Sequence, residues 1–215
     1  MEKFVTFEGI EGCGKSTQVR LAGDYLKKHG VPFITTEEPG GTPLGRRIRA
    51  LLLRKPAKGA ARMLPEAELL LFCAARAQHV RELILPSLRE GKVVLCDRFS
   101  DATTAYQGFG RGLDRDAIRR IDAFSTDGLT PGLTLLFDLP VETGLKRALA
   151  RIAGNKGVPA EDRFEREALE FHRNVREGYL SLARSEPERF RIIDASKDIS
   201  SVNLDVSRHL AKFIV

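Results

Sequence analysis

Residues 9–16 read Gly9-Ile10-Glu11-Gly12-Cys13-Gly14-Lys15-Ser16, and Thr17 follows. Glycines at 9, 12 and 14 free the backbone to turn its N–H groups inward, which suits an anion held by main-chain donors. Lys15 adds a cation and Ser16 a hydroxyl, a hard oxygen of the kind magnesium takes. The spacing G-x-x-x-x-G-K-[ST] is that of a loop that cradles the phosphates of a nucleoside triphosphate. The context agrees, because an apolar run, FVTFEG (4–9), leads in and a helical pattern, TQVRLAGDYLKKHG (17–30), leads out. A phosphate there would also meet the positive end of a helix. Gly9 through Thr17 are the candidate donor-binding residues, Lys15 the candidate catalytic cation on the β/γ-phosphates, and Ser16 a candidate Mg²⁺ ligand.

Such a site needs an acidic partner for the metal at the end of a neighbouring strand. VVLCD ends in Asp97 and LTLLFD in Asp138. Asp97 is preferred because Arg98 follows it directly, setting a metal-side anion beside a phosphate-binding cation. A structural ion pair is the plainer reading of the same two residues.

The elements that must hold these groups alternate. Strand patterns occur at 4–9, 32–38, 92–97, 133–139 and 189–196. Helical patterns occur at 17–30, 45–53, 65–91, 99–107, 114–128, 141–154, 163–184 and 199–213, with Pro86 expected to kink the third. Residues 57–62 read as a loop, and 154–162, with no apolar period, as a mobile one. Apolar strands separated by helices predict an α/β fold: a doubly wound, five-stranded parallel sheet flanked by helices, with ligands beyond the carboxyl ends of the strands. No linker divides the 215 residues, so a single domain over 1–215 is expected, with a small lid at about 147–163.

Composition narrows the partners. The net charge is +6, which favours an anionic ligand, although a solvated basic surface without a partner fits equally well. No basic stripe interleaved with aromatics supports nucleic-acid binding. No apolar run is long enough for a membrane span and the N-terminus has no leader pattern, so a cytoplasmic protein is expected. Cys13, Cys73 and Cys96 are far apart and read as reduced thiols rather than zinc ligands.

The loop alone indicates nucleotide binding. Asn155-Lys156-Gly157-Val158 lacks the acidic residue of the NKxD base-reading motif, which argues against a GTPase. A small chain rich in arginine suits phosphoryl transfer between two nucleotides, where cations offset the repulsion of the phosphates. Another nucleoside monophosphate or deoxynucleoside kinase, a nucleotide-dependent regulatory module and a nucleic-acid-associated ATPase are the alternatives.

FEGIEGCGKST (7–17), EEPGGTPLGRRIRALLL (37–53), LLLFCAARAQHV (69–80), DRFSDATTAYQGFGRG (97–112), DRFE (162–165) and IDAS (193–196) together resemble the thymidylate kinases along nearly the whole chain. The resemblance implies ATP-dependent phosphorylation of dTMP to dTDP by a Mg²⁺-dependent homodimer. It implies that Glu11 contacts the sugar 3′-OH, that Glu38 belongs to the acceptor-side loop, and that Arg49 and Arg98 reach the acceptor phosphate. Phe72 would stack on thymine and Arg76 donate to its O4; Thr103 and Gln107 would face the base and Tyr106 the deoxyribose. Gly12 stands where some members have an arginine, so the catalytic cation is expected from the lid, as Arg151 supported by Arg147, with Arg163 nearby. Asp194-Ala195-Ser196 and Lys197 resemble the loop beside the adenine. The apolar LLLFCAA stretch is expected at a dimer surface.

Overall fold

A computed structural model describes residues 3–54, 62–154 and 162–214. The expected loops at 57–62 and 154–162 fall almost wholly outside the described residues. In chain order the elements are β1 (Phe4–Glu8), α1 (Lys15–Lys28), β2 (Phe33–Glu37), α2 (Pro43–Leu53), α3 (Pro65–His79), a π turn (Val80–Ile84), α4 (Leu85–Arg89) and β3 (Val93–Asp97). There follow α5 (Ser100–Thr103), a second π segment (Thr104–Gly110), α6 (Arg115–Thr126), β4 (Leu133–Asp138), α7 (Val141–Gly154), α8 (Leu169–Ser185), β5 (Phe190–Asp194) and α9 (Ile199–Ile214).

The strands form one five-stranded parallel sheet in the order β2-β3-β1-β4-β5. Side chains alternate across a strand, and here both faces are covered. Val5 and Phe7 of β1 join Val93 and Leu95 of β3 in one core cluster with α1, α8 and α9. Phe4, Val94 and Cys96 point the other way, onto Val80, Ile84 and Phe99. That is why these strands read as continuous apolar runs. Phe7, fully buried, stacks on Phe137 at 5.9 Å, and truncating such a ring costs about 3–5 kcal/mol.

Local chemistry sets the ends. Thr42 caps α2 by accepting the Gly45 N–H at 3.0 Å, with Pro43 in the first turn. Asp114 caps α6 through the Ala117 N–H at 2.7 Å.

Three expectations are corrected. The helix expected over 65–91 is broken at Val80–Ile84, where the Leu85 N–H reaches back to the Val80 carbonyl. Pro86 has no N–H for the α-ladder, and the adjacent turn widens. The helix at 99–107 is α only over Ser100–Thr103 and π thereafter. The helix expected at 163 begins at Leu169, because 162–168 turns instead: Arg163 donates to the Leu52 carbonyl at 2.5 Å, and Arg166 to Asp162 at 2.7 Å.

The topology brings three strand ends together. β1 lies between β3 and β4, so the loop after Glu8 is flanked by Asp97-Arg98 on one side and Asp138 on the other.

Candidate active site

The loop between β1 and α1 has the backbone its glycines allow: φ is +140° at Gly9, +71° at Gly12 and +91° at Gly14. Gly12 is also required by space. A Cβ there would lie 2.0 Å from the carbonyl oxygen of Gly144 in α7. Helix α1 starts at Lys15, two residues earlier than expected, with no acidic residue in its first turn. Its positive end therefore faces the loop unneutralised. Lys15 is buried and lies across the loop, donating to the carbonyls of Gly9 (3.0 Å) and Ile10 (2.9 Å) and to Cys13 Sγ (3.3 Å).

Ser16 donates its hydroxyl to Asp97 Oδ2 at 2.6 Å. Asp138, the competitor, instead forms two bonds to Arg176, at 2.7 and 2.8 Å. Ser16 and Asp97 offer hard oxygens at one point, the donor chemistry of magnesium. Among the described residues no group of three or more His, Cys, Asp and Glu could cage an ion. The pair thus fits a metal that takes most of its oxygens from phosphate and water.

Arg98 adopts φ +69°, a conformation that a non-glycine residue holds only when its surroundings over-determine it. The turn brings its guanidinium back over the loop. Nη1 donates to the Gly9 carbonyl (2.9 Å) and Tyr179 Oη (3.0 Å), Nη2 to Glu11 Oε1 (3.1 Å), and the group lies 4.8 Å over the Tyr106 ring. Behind it, Tyr179 donates to Glu8 at 2.7 Å, and Glu8 also accepts the Phe99 N–H at 2.6 Å. Burial, then the charge of Asp101, pushes the Glu8 carboxyl up to about 8. Glu11 goes the other way. Burial acts to raise it, but His172, Arg98, Tyr106 and Lys15 together bring it down to about 2. Tyr106 donates its hydroxyl to Glu11 Oε1. Glu11 Oε2 is buried without a hydrogen-bond partner among the described residues, and His172 Nδ1 lies 3.3 Å from it.

One cavity of about 610 Å³ joins these groups to the second half of the site. Lys15, Ser16, Asp97, Arg98 and Arg151 line one part of it, and Arg49, Phe72, Arg76, Thr103, Tyr106 and Gln107 the other. Phe72 faces Phe164 at 6.2 Å. Arg76 is buried and heavily committed. It donates to Glu38 (2.8 Å), Asp122 (2.5 Å), the Phe99 carbonyl (3.1 Å) and Thr103 (2.8 Å). Of the five guanidinium N–H groups, these leave one. Glu38 is thus first a holder of Arg76, and also accepts from His79 at 2.9 Å. Arg49 donates to the Pro39 carbonyl at 2.9 Å and to Glu37 at 3.2 Å.

The expected lid arginines part company. Arg151 lines the cavity and reaches Glu165 at 3.4 Å. Arg147, one turn earlier, donates to the Ala195 carbonyl at 3.1 Å, on the loop after β5. In that loop Asp194 accepts from the Ser196 hydroxyl at 2.5 Å. Arg163 is drawn inward to Glu68 at 2.6 Å. Cys13, Cys73 and Cys96 are free and buried. Sequence reasoning missed Glu8, Glu68, His79, Phe164, His172 and Tyr179. Glu8 in FEGIEGCGKST, His79 in LLLFCAARAQHV and Phe164 in DRFE lay inside motif segments; Glu68, His172 and Tyr179 left no signal.

Three comparisons bear on this geometry. Residues 7–206 match the family model described as thymidylate kinase. The chain is 60% identical over 210 residues to a thymidylate kinase of Syntrophus aciditrophicus (strain SB), covering 98% of this chain and 94% of that one. It is 53% identical over 204 residues to a thymidylate kinase of Geotalea uraniireducens (strain Rf4), covering 95% and 94%. The crystal structure of thymidylate kinase from Ehrlichia chaffeensis superposes with a TM-score of 0.73 at 33% identity, over 96% of this chain and 97% of that one.

Proposed function

The chain belongs to the thymidylate kinase family, and on that premise we propose how its residues divide the work. The reaction is transfer of the γ-phosphoryl group of ATP to dTMP, giving dTDP. The observation that carries the division is the single cavity shared by the glycine-rich loop and the Phe72–Arg76 face of α3.

Phosphoryl transfer asks the protein for position and positive charge more than for covalent chemistry. The β- and γ-phosphates occupy the loop, held by its N–H groups and the start of α1. Lys15 exchanges its bonds to the Gly9 and Ile10 carbonyls for phosphate oxygens. Ser16 and Asp97 would hold Mg²⁺, which would offset charge on the phosphates. On the acceptor side, Arg98 and Arg49 hold the dTMP phosphate. Arg98 is held from behind by Tyr179 and Glu8, so little is spent on ordering it at the moment of reaction.

Glu11 is a carboxylate at neutral pH and lines the cavity, suited to accept the sugar 3′-OH, while Tyr106 packs on the deoxyribose. Thymine stacks on Phe72. Its O4 takes the remaining N–H of Arg76, and Thr103 and Gln107 face its polar edge. Arg151, at the cavity wall on α7, supplies the further cation. Arg147 serves the same transfer more remotely, by holding the loop at Ala195 against which the adenine rests.

A homodimer is the assembly this reading favours. Leu69, Cys73 and Ala75 of LLLFCAA are buried, yet Leu70 of α3 is 56% exposed, as are Leu51 of α2 (62%) and Phe124 of α6 (80%). Helix α3 packs against both α2 and α6, so these side chains give three neighbouring helices outward apolar groups that a second copy would cover.

The test is ADP release across all common nucleoside monophosphates. ADP release that requires dTMP, and no nucleic acid, is expected; equal release with every acceptor would refute the acceptor assignment.

A further inference from the structure

Glu68 sits on α3, one turn before Phe72 and two before Arg76, and is 1% exposed. A buried carboxylate needs compensation, and Glu68 receives it from three directions. Its Oε1 accepts from Gln107 Nε2 at 2.8 Å and from Arg111 Nε at 3.2 Å. Its Oε2 accepts from Arg163 Nη2 at 2.6 Å and from Arg111 Nη2 at 3.2 Å. These donors come from the second π segment (Gln107), from Arg111 just after it, and from the turn at 162–168. With two cations and an amide around it, the carboxyl is held below the usual range despite its burial.

Two consequences follow from the geometry. First, the Gln107 amide loses its rotational choice, because its NH₂ end is turned to Glu68 and its carbonyl end is the one left to meet a ligand. Second, Arg163 is anchored next to Phe164. The guanidinium lies 4.5 Å over that ring, and Phe164 lines the cavity opposite Phe72. Arg111 adds a clasp: it pairs with Glu167 at 2.7 Å and lies 4.6 Å over Phe171, which stacks on Phe164.

We propose that Glu68 is a positioning residue that ties the orientation of the Gln107 amide to the docking of the 162–168 turn, so that reading the acceptor base and walling its pocket with Phe164 are one coupled event. The inference rests on the acceptor-side reading above. It makes Glu68 a determinant of acceptor affinity and base choice that touches neither nucleotide.

The experiment pairs steady-state kinetics with amide hydrogen exchange on the full chain carrying Glu68→Gln. The variant keeps shape and size but removes the charge that two arginines share. Hydrogen bonds to a charged group weigh enough for about a tenfold to a hundredfold rise in KM for dTMP. KM for ATP should stay within roughly twofold, and preference for dTMP over dCMP should shrink by about tenfold. Without any nucleotide, amides of 162–168 should exchange faster while those of β1 and β3 do not. A folded variant with unchanged KM for dTMP and unchanged exchange would overturn the proposal. So would a fall in kcat with both KM values intact, the mark of a merely structural role. If Glu68→Gln does not fold, Arg163→Met is read by the same two measurements: the same acceptor-side loss supports the proposal, and wild-type behaviour refutes it. Wild-type enzyme assayed with dTMP in parallel separates the two levels, since failure there would sink the acceptor-side reading itself.

Discussion

Lys15→Met removes the cation of the glycine-rich loop while keeping most of its apolar stem. The Nζ lies 3.0 Å from the Gly9 carbonyl and 2.9 Å from the Ile10 carbonyl, so a phosphate in the loop would come within about 4 Å of it. At an effective dielectric constant of about 20, a charge pair at that distance is worth about 4 kcal/mol. If that interaction strengthens as charge moves onto the leaving phosphate, turnover should fall about 10³-fold. Stability should change far less. The Gly9 carbonyl keeps the Arg98 bond at 2.9 Å, which leaves one carbonyl to re-pair with water, at about 1–2 kcal/mol. The assay is coupled ADP release at saturating dTMP, with a thermal melt as the folding control. Lys15→Arg should not rescue, because the guanidinium is larger and its donors fork. A folded Lys15→Met enzyme with kcat within roughly threefold of wild type would refute the electrostatic reasoning.

Glu8 titrates near 8 in the fold against 4.5 as a free group. A raised folded value means its contribution is full below about 4.5 and is lost as pH rises toward 8, by no more than about 5 kcal/mol. Glu8→Gln should flatten that decline, and denaturant melts at pH 5 and pH 8 with parallel curves for both proteins would contradict it. Glu11, held at about 2, has the opposite sign and matters only in acid. It contributes above 4.5 and is lost as pH falls through 2, so it leaves the pH 5–8 window to Glu8. Among acceptors, dUMP lacks one methyl group and should lose about 10- to 200-fold in kcat/KM. dCMP should do worse, because it presents a donor to Arg76; equal kcat/KM for dTMP and dCMP would refute the base assignment. Finally, Phe124→Glu should shift sedimentation from dimer to monomer at micromolar protein; a wild-type monomer there would dismiss the dimer.

The fold was legible because its three central strands, β1, β3 and β4, are buried on both faces. FVTFE, VVLCD and LTLLFD need no polar side, and the sheet they form has the expected five strands, all parallel. The donor end was legible for a different reason: the loop is local, and Gly9 through Ser16 do their work within one turn of chain. Asp97 was preferred over Asp138 from its neighbour Arg98, and it is Asp97 whose carboxylate accepts the Ser16 hydroxyl at 2.6 Å. What escaped was assembled at long range. Glu68 looks like a carboxylate in the first turn of an exposed helix, where the macrodipole favours it. Nothing in PEAELLLFC announces that its partners lie 43 and 95 residues away. Glu8 reads as one letter of an apolar strand, yet it closes the relay behind Arg98. Arg147 and Arg151 share a helix face in the sequence, but only Arg151 reaches the cavity, because the chain after β5 intercepts Arg147.

The abutment of Gly12 on Gly144 has a consequence for what substitution could do to this enzyme. With 2.0 Å between a hypothetical Cβ and a main-chain oxygen, no rotamer choice relieves the collision; the helix itself would have to retreat. An arginine could not be grafted at position 12 one mutation at a time. On the reading proposed above, the extra positive charge comes instead from Arg151, farther along the same helix α7.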